Sequence, residues 1–272
     1  MLTRPALRGI KRVGEAIEQP SFFFDDFESG DLSSVGDDGF EWGGSVYTSV
    51  VTDDAYEGSN SLRFRWTAEG NENSEQNYDL GAKYSEIWFS YYIKWPSNYY
   101  HRNSGGPHQT YNNKGYFYIW GGNYETPTME APGCGPNFWP DGNGYSTATI
   151  NVWSNNYPAG WHHDDPARAN DLWVDSDDLN TWVRIIGHYK LGTFDPGTVD
   201  GVGDGVIQFW KVRSDQTVIT LFDRDDVNLF QTGQTGWDKG YILGSANSAF
   251  ANQTDAYIDN FRLSSSEIAR VF

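Results

Sequence analysis

The feature that most constrains this chain is a strict two-residue alternation. In Ile87-Trp88-Phe89-Ser90-Tyr91-Tyr92-Ile93-Lys94-Trp95 every odd position is apolar, and in Leu62-Arg63-Phe64-Arg65-Trp66 apolar residues alternate with arginines. A helix buries residues that recur every three or four positions. An extended strand instead sends successive side chains to opposite faces and buries every second one. Further strand-like runs, separated by turn residues, fall at 22–27, 45–51, 115–120, 147–153, 182–191, 206–213 and 256–263. After residue 20 there is no sustained helical pattern, and no repeat period of the kind that propellers and solenoids carry. Many strands with one buried face each predict an all-β chain folded as an antiparallel two-sheet β-sandwich. Two stretches read as connections: 121–145, rich in Pro and Gly, as a surface loop, and 154–180, with Asp164, Asp165, Asp171, Asp175, Asp177 and Asp178, as a second, polar one.

Composition narrows the function classes. The 272 residues include 12 Trp, 17 Tyr and 16 Phe, ample for a packed core and far too many for a disordered chain. Asp and Glu number 37 against 19 Lys and Arg, a net charge of −18, which excludes the basic face of a nucleic-acid module. No run approaches the ~18 apolar residues of a membrane-spanning helix. Cys134 stands alone, so there is no internal disulfide and no cysteine-based zinc site. Residues 1–20 are basic, and Arg4, Arg8, Lys11 and Arg12 keep them from reading as a secretory signal. They read either as a frayed tail or as an arm docking on a larger assembly. The expected organisation is an arm over 1–20, a sandwich over 21–265 and a short tail over 266–272.

Three motifs add a resemblance. Phe24-Asp25-Asp26-Phe27-Glu28-Ser29-Gly30-Asp31-Leu32, Tyr56-Glu57-Gly58-Ser59-Asn60-Ser61-Leu62 and Ala256-Tyr257-Ile258-Asp259-Asn260-Phe261-Arg262-Leu263 resemble the opening, an early step and the closing step of concanavalin A-like jelly rolls of the laminin-G/MAM type. The stretches 85–95, 113–121 and 182–190, the last followed by Asp204-Gly205-Val206-Ile207-Gln208-Phe209-Trp210, are similar to the sandwich shared by polysaccharide lyases and lyase-like proteins carried by phages. The resemblance spans 22–263. It implies adjacent first and last strands, which would gather Asp26, Glu28 and Asp259 with Asn60 nearby, and a structural calcium at that step. Close carboxylates repel one another unless a cation or hydrogen bonds compensate, and Ca²⁺ takes oxygen ligands of this kind. The plainer alternative is a set of surface carboxylates capping turns. His162-His163-Asp164-Asp165 contains metal-ligating types, but neighbouring histidines on a strand point opposite ways.

Alternation also nominates a glycan-binding face: Tyr116, Tyr118 and Trp120 if Phe117 and Ile119 are buried, Trp153, then Arg184 and His188, and Gln208 with Trp210. Rings stack on the apolar face of a sugar while amides and charges meet its hydroxyls. The alternative reading places these rings in the core. The lyases of the resembling fold pair an amide or Arg neutraliser with His/Tyr or Lys/Tyr acid–base partners. Here His108, Tyr111, Lys114, Tyr116, Arg184, His188 and Lys190 supply those types. The sequence lacks Arg-x-Glu-x-Arg and Gln-(Ile/Val)-His, and its charge repels a polyanion at long range. The leading expectation is therefore a non-enzymatic virion-surface module, docked through its arm on a capsid or tail and carrying a glycan-binding face, located on the virion or outside the cell by a non-classical route. The alternative is a polysaccharide lyase that cleaves a uronate-containing glycan by β-elimination, and a third reading is a free lectin.

Overall fold

The alternation of 87–95 becomes burial in the computed structural model: Ile87, Phe89, Tyr91, Ile93 and Trp95 all lie in the core. The structure describes residues 21–67, 73–103, 112–124, 129–154, 157–163 (as backbone), 172–194 and 203–272. The strands are β1 (Phe23–Asp25), β2 (Glu41–Val46), β3 (Thr48–Val51), β4 (Ser61–Trp66), β5 (Asn73–Tyr84), β6 (Glu86–Lys94), β7 (Asn113–Lys114), β8 (Phe117–Gly122), β9 (Met129–Pro140), β10 (Ser146–Ser154), β11 (Tyr157–His163), β12 (Trp182–Lys190), β13 (Gly205–Val212), β14 (Val218–Val227), β15 (Trp237–Ser245) and β16 (Thr254–Ser264). A single 3₁₀ turn, Ser176–Asp178, is the helical element among the described residues.

Two antiparallel sheets result. The first runs β14-β13-β12-β6-β16-β4-β3, with β1 also on β16; the second runs β11-β10-β9-β8-β15-β5-β2, with β7 beside β9. The expected all-β sandwich of jelly-roll type is the observed fold. Its first and last strands do lie side by side, with Asp25 opposite Phe261. Across the sandwich, Phe89 of β6 stacks on Phe117 of β8 with centroids 4.0 Å apart. The Tyr91 and Tyr189 hydroxyls reach from the first sheet to the backbone of the second, donating to Tyr116 O at 2.8 Å and Phe117 O at 2.9 Å. Buried phenols of this kind keep their polar ends satisfied while their rings fill space.

Three expectations need correction. The 121–145 stretch is not a loop throughout, because β9 runs through it between β8 and β10. Its prolines are tolerated where the ladder toward β8 is broken: register shifts fall between Ile119 and Gly121, and Pro136 lies between the β7 pairing at Asn137 and the β8 pairing at Cys134. The 154–180 stretch holds β11, which extends the second sheet at its edge. Tyr116 does not join an outward face. It sits in the inter-sheet core, its hydroxyl bonded to Trp173 O at 2.6 Å. The strands β5, β14 and β15 had no clear apolar alternation, since β5 turns Ser74 and Gln76 inward.

One end of the sandwich is closed by a buried ionic cluster. Lys211 of β13, with no side-chain exposure, meets Asp178 and lies 3.0 Å from Asp175 and 3.1 Å from Leu172 O. Arg213 bonds Asp175 at 2.6 Å. Burial acts to raise the Asp175 carboxyl, but Lys211 and Arg213 outweigh it and hold it below the ordinary range. Lys211→Ala leaves the buried Asp178 with Arg213, at 3.3 Å, in place of its close Lys211 partner. The expected loss is about 3–5 kcal/mol in unfolding free energy, read by urea denaturation.

Candidate functional site

The outward face of the second sheet gathers polar and aromatic side chains around Lys114. Register places Tyr241 of β15 beside Tyr118 of β8, and Lys114 of β7 beside Asn137 of β9. The Tyr118 and Tyr241 rings stack at 4.7 Å, and Trp120, Met129 and Trp153 complete an aromatic layer distinct from the inter-sheet core. Two glycines of β9 make room for it. A Cβ on Gly135 would fall 2.5 Å from the Tyr118 ring, and one on Gly133 would fall 2.1 Å from the Trp153 ring. Tyr124, 45% exposed, stands over this layer, edge-on to Trp120 at 5.0 Å and hydrogen-bonded to Tyr241.

Lys114 Nζ lies 3.4 Å from Asn137 Oδ1 and 5.2 Å from the centre of the Tyr118 ring. Burial lowers its ammonium below the ordinary lysine range, and Glu75 pulls the other way. Burial likewise raises Glu75, against a hydrogen bond from Asn77 and the charge of Lys114. Both groups are thereby drawn toward their neutral forms. The Tyr118 hydroxyl lies within reach of Pro136 O at 2.6 Å and Asn137 Oδ1 at 2.5 Å, so it is committed to structure. Asn151, opposite Gly135, has a buried Oδ1 without a hydrogen-bond partner. This face therefore offers an amine of depressed basicity, an accessible phenol and side-chain amides within one aromatic-walled surface.

The residues nominated from sequence do not converge on it as one set. Lys114, Tyr118, Trp120 and Trp153 share the second sheet's outward face. Arg184, His188, Gln208 and Trp210 face outward from the first sheet, on the opposite side of the molecule. There the His188 ring stacks on Trp88 at 4.0 Å, its nitrogens 2.9 Å from Gln208 Oε1 and 2.9 Å from Glu86 Oε1. Trp88 parallels Trp210, and residues 267–272 cover the layer: Ile268 packs into it and Arg270 lies 3.9 Å over Trp210. Lys190 is exposed at the end of β12. His108 and Tyr111 lie outside the described residues, as do Arg4, Arg8, Lys11 and Arg12, and nothing is described of the side chains of His162 and His163. Sequence reasoning missed Asn137, Tyr124, Tyr241 and Glu75. The first two lay in the stretch read as a loop, the others on strands without apolar alternation.

At the β1–β16 step the carboxylates are met by backbone amides. Glu28 Oε1 accepts from Ser59 N at 2.8 Å and Asn60 N at 2.7 Å, while Asp259 Oδ2 accepts from Tyr56 N at 2.8 Å and Glu57 N at 3.1 Å. Asp259 Oδ1 takes Asn260 N at 2.7 Å, and Asp26 caps its own turn through Glu28 N at 3.1 Å. Asn260 adopts a left-handed φ of 50° at the irregularity in β16 that turns Asp259 toward this loop. Among the described residues no group of three or more His, Cys, Asp or Glu is placed to hold a metal ion. The oxygens of Glu28 and Asp259 are thus engaged by N–H donors of residues 56–60.

No family model matches the chain, and no curated protein matches it. Solved structures do. The marine PL-14 alginate lyase from Aplysia kurodai superposes with a TM-score of 0.60 at 11% identity, over 91% of this chain and 100% of that one. A mutant of alginate lyase Aly36B in complex with alginate tetrasaccharide gives 0.53 at 14% identity, over 84% and 88%. The cellulose-induced protein Cip1 gives 0.53 at 13% identity, over 91% and 99%. The likeness is one of fold.

Two outcomes follow from this geometry. Gly135→Ala drives a methyl into the Tyr118 ring; about 1–3 kcal/mol of stability is expected to be lost, with a changed near-ultraviolet circular dichroism spectrum. Asp259 is pushed by burial from the ordinary 3.8 up to about 6, with the charge of Glu28 adding to the rise. The stability tied to this raised value is fully present below pH 3.8 and is lost as the pH climbs through about 6. Asp259→Asn removes that term. Melting temperatures across this interval should therefore move in the variant's favour as pH rises, and a pH-independent difference would contradict the assignment.

Proposed function

We propose that the protein is a polysaccharide lyase that cleaves a uronate-containing glycan by β-elimination on the outward face of the second sheet. The observation that carries this reading is Lys114: a lysine held below its ordinary basicity by burial, among an accessible tyrosine and side-chain amides, on a fold also found in alginate lyases. A buried amine of this kind is suited to general-base work because burial favours its unprotonated form.

In the proposed step the Lys114 amine takes the proton from C5 of the uronate. The electron pair of that C–H bond forms the C4=C5 double bond as the C4–O4 bond breaks. The departing oxygen receives the proton of the Tyr124 phenol. Abstraction at C5 places charge on the carboxylate, which needs hydrogen-bond donors, and the Asn137 and Asn151 side chains lie on the same face. The rings of Tyr124 and the partly buried Trp153 suit sugar rings. The net charge of −18 disfavours a polyanion at long range, but salt screens that field over about 10 Å, so local groups decide binding. The alternative of an arm-anchored capsid or tail module rests on residues 1–20, and nothing among the described residues of the sandwich favours it.

Incubation with alginate, glucuronan or glycosaminoglycans should give a rise in ultraviolet absorbance from the unsaturated product. Lys114→Ala should lower kcat by about 100-fold or more, with an unchanged far-ultraviolet circular dichroism spectrum. The parent's rate should fall on acidification at a pH below the ordinary lysine range, as Lys114 gains its proton. No product from any of these polymers, or full activity in Lys114→Ala, would overturn the reading.

A further inference from the structure

Three side chains from three strands meet over Gly244 of β15: Lys114 of β7, Tyr241 of β15 and Glu75 of β5. A Cβ at Gly244 would fall 3.2 Å from Lys114 Cβ, 3.2 Å from Tyr241 Cε2 and 3.3 Å from Glu75 Oε2. We propose that Glu75 is a positioning residue for the elimination: its carboxylate, brought up to Lys114 across the bare glycine, steadies the ammonium that Lys114 becomes on taking the C5 proton. The inference rests on the lyase reading and adds to it a group that acts through the lysine.

Each member of this meeting point is held in place. Glu75 points outward because Ser74 and Gln76, its neighbours on β5, are buried on the other face. Register sets it between Val46 of β2 and Leu243 of β15. Its Oε1 accepts from Asn77 Nδ2 at 3.1 Å, and the same Nδ2 donates to Gly44 O at 2.9 Å. One carboxylate oxygen is thereby tied toward β2, and the other, Oε2, is the atom over Gly244. Lys114 is fixed through its neighbour: Asn113 bridges to Ala246, and its Oδ1 accepts from Ser248 N at 2.8 Å. Gly244 is pinned by Trp66 Nε1, which donates to its carbonyl at 3.0 Å. Its φ of 138° lies where side-chain-bearing residues are strained, so backbone and space both keep the position bare.

Among the described residues, the titratable groups around Lys114 are Glu75 from β5, Tyr118 from β8, Tyr124 from the segment after β8 and Tyr241 from β15; Asn137 from β9 is neutral. Burial raises all three phenols, so they stay uncharged and Glu75 supplies the negative charge. Burial lowers the Lys114 amine, and Glu75 opposes that fall. Burial raises the Glu75 carboxyl, while the Asn77 bond and the charge of Lys114 lower it. The two charges therefore favour each other as the amine gains its proton, and opposite charges attract more strongly in a half-buried setting than in water. The same carboxylate acts on the proposed acid: burial raises Tyr124 most, and the charge of Glu75 adds to the rise, so the phenol keeps its proton until the leaving oxygen takes it.

The test uses the full chain and two readouts. Acetylation by acetic anhydride over a pH series, read peptide by peptide by mass spectrometry, follows the protonation of Lys114 without turnover. Glu75→Gln keeps an oxygen for Asn77 and removes the charge, so Lys114 should lose its proton at a lower pH than in the parent. Glu75→Asp keeps a charge one methylene further back, and its curve should fall between the two. In turnover of alginate, glucuronan or a glycosaminoglycan, Glu75→Gln should lower kcat by about tenfold, with KM little changed and the acidic limb of the pH–rate profile moved to lower pH. A role confined to holding Asn77 would move none of these curves. A Glu75→Gln labelling curve that matches the parent's or shifts to higher pH, a Glu75→Asp curve that coincides with it, or a kcat equal to the parent's would overturn the proposal. Absence of β-elimination by the parent on every polymer would instead overturn the lyase reading, and the labelling curves would still decide whether Glu75 sets the charge of Lys114.

Discussion

The rest of the structure depends on the ring-to-ring contact between the sheets. Phe89 can stack on Phe117 only because Gly187, its cross-strand neighbour on β12, has no side chain: a Cβ there would fall 2.1 Å from the Phe89 ring. That contact, with the Tyr91 and Tyr189 hydroxyls seated on the backbone of Tyr116 and Phe117 at the start of β8, fixes how the two sheets lie on each other. Once the inward faces are fixed, the outward ones are too, since a strand has no third direction. Lys114 and Arg184 therefore end up on opposite sides of the molecule as a consequence of core packing.

The same device recurs where function is proposed. Gly133 and Gly135 let Trp153 and Tyr118 lie flat on β9, which turns a pleated surface into a shelf of rings. On the opposite sheet the outward rings are covered instead, by Ile268 and Arg270 over Trp88 and Trp210. Aromatic residues on two outward faces thus have different fates. One layer supports an exposed tyrosine and a half-buried lysine, while the other serves as a dock for the chain's own last residues and leaves a cavity at its end.

Much of the architecture was legible. β4 begins one residue before the alternation of Leu62 to Trp66 and ends with it, and β6 and β12 follow their apolar patterns almost to the residue. The adjacency of the first and last strands followed from the resemblance and holds through the β1–β16 ladder, which sets Asp25 opposite Phe261. What escaped was burial that apolar patterning does not report. Gln76 is buried because Ser45 and Thr48 hydroxyls satisfy its oxygen, at 2.6 Å and 2.9 Å, so β5 reads as polar sequence while it occupies the interior. β9 was hidden by Pro and Gly, residues that normally break strands and here serve broken register and ring clearance. The site was only half legible for a related reason: alternation tells which residues share a strand face, but not which strands share a sheet. Tyr118 and Arg184 looked alike in sequence, and only topology separates them.

The carboxylate step shows how one local solution propagates. Backbone N–H groups of residues 56–60 point at Glu28 and Asp259, and Gly58 passes so close to Glu28 that a Cβ would lie 2.4 Å from its carboxyl group. Amide donors compensate negative charge, but incompletely for Asp259, which stays buried and hard to ionise. The compensation that is achieved has a structural return. The loop held by these bonds carries Tyr56, and Tyr56 is the ring stacked on Tyr92 at the cavity where Arg184 and Arg262 meet. A pair of acidic residues at the seam between first and last strands thus positions the aromatic wall of that cavity on the outward face of the first sheet.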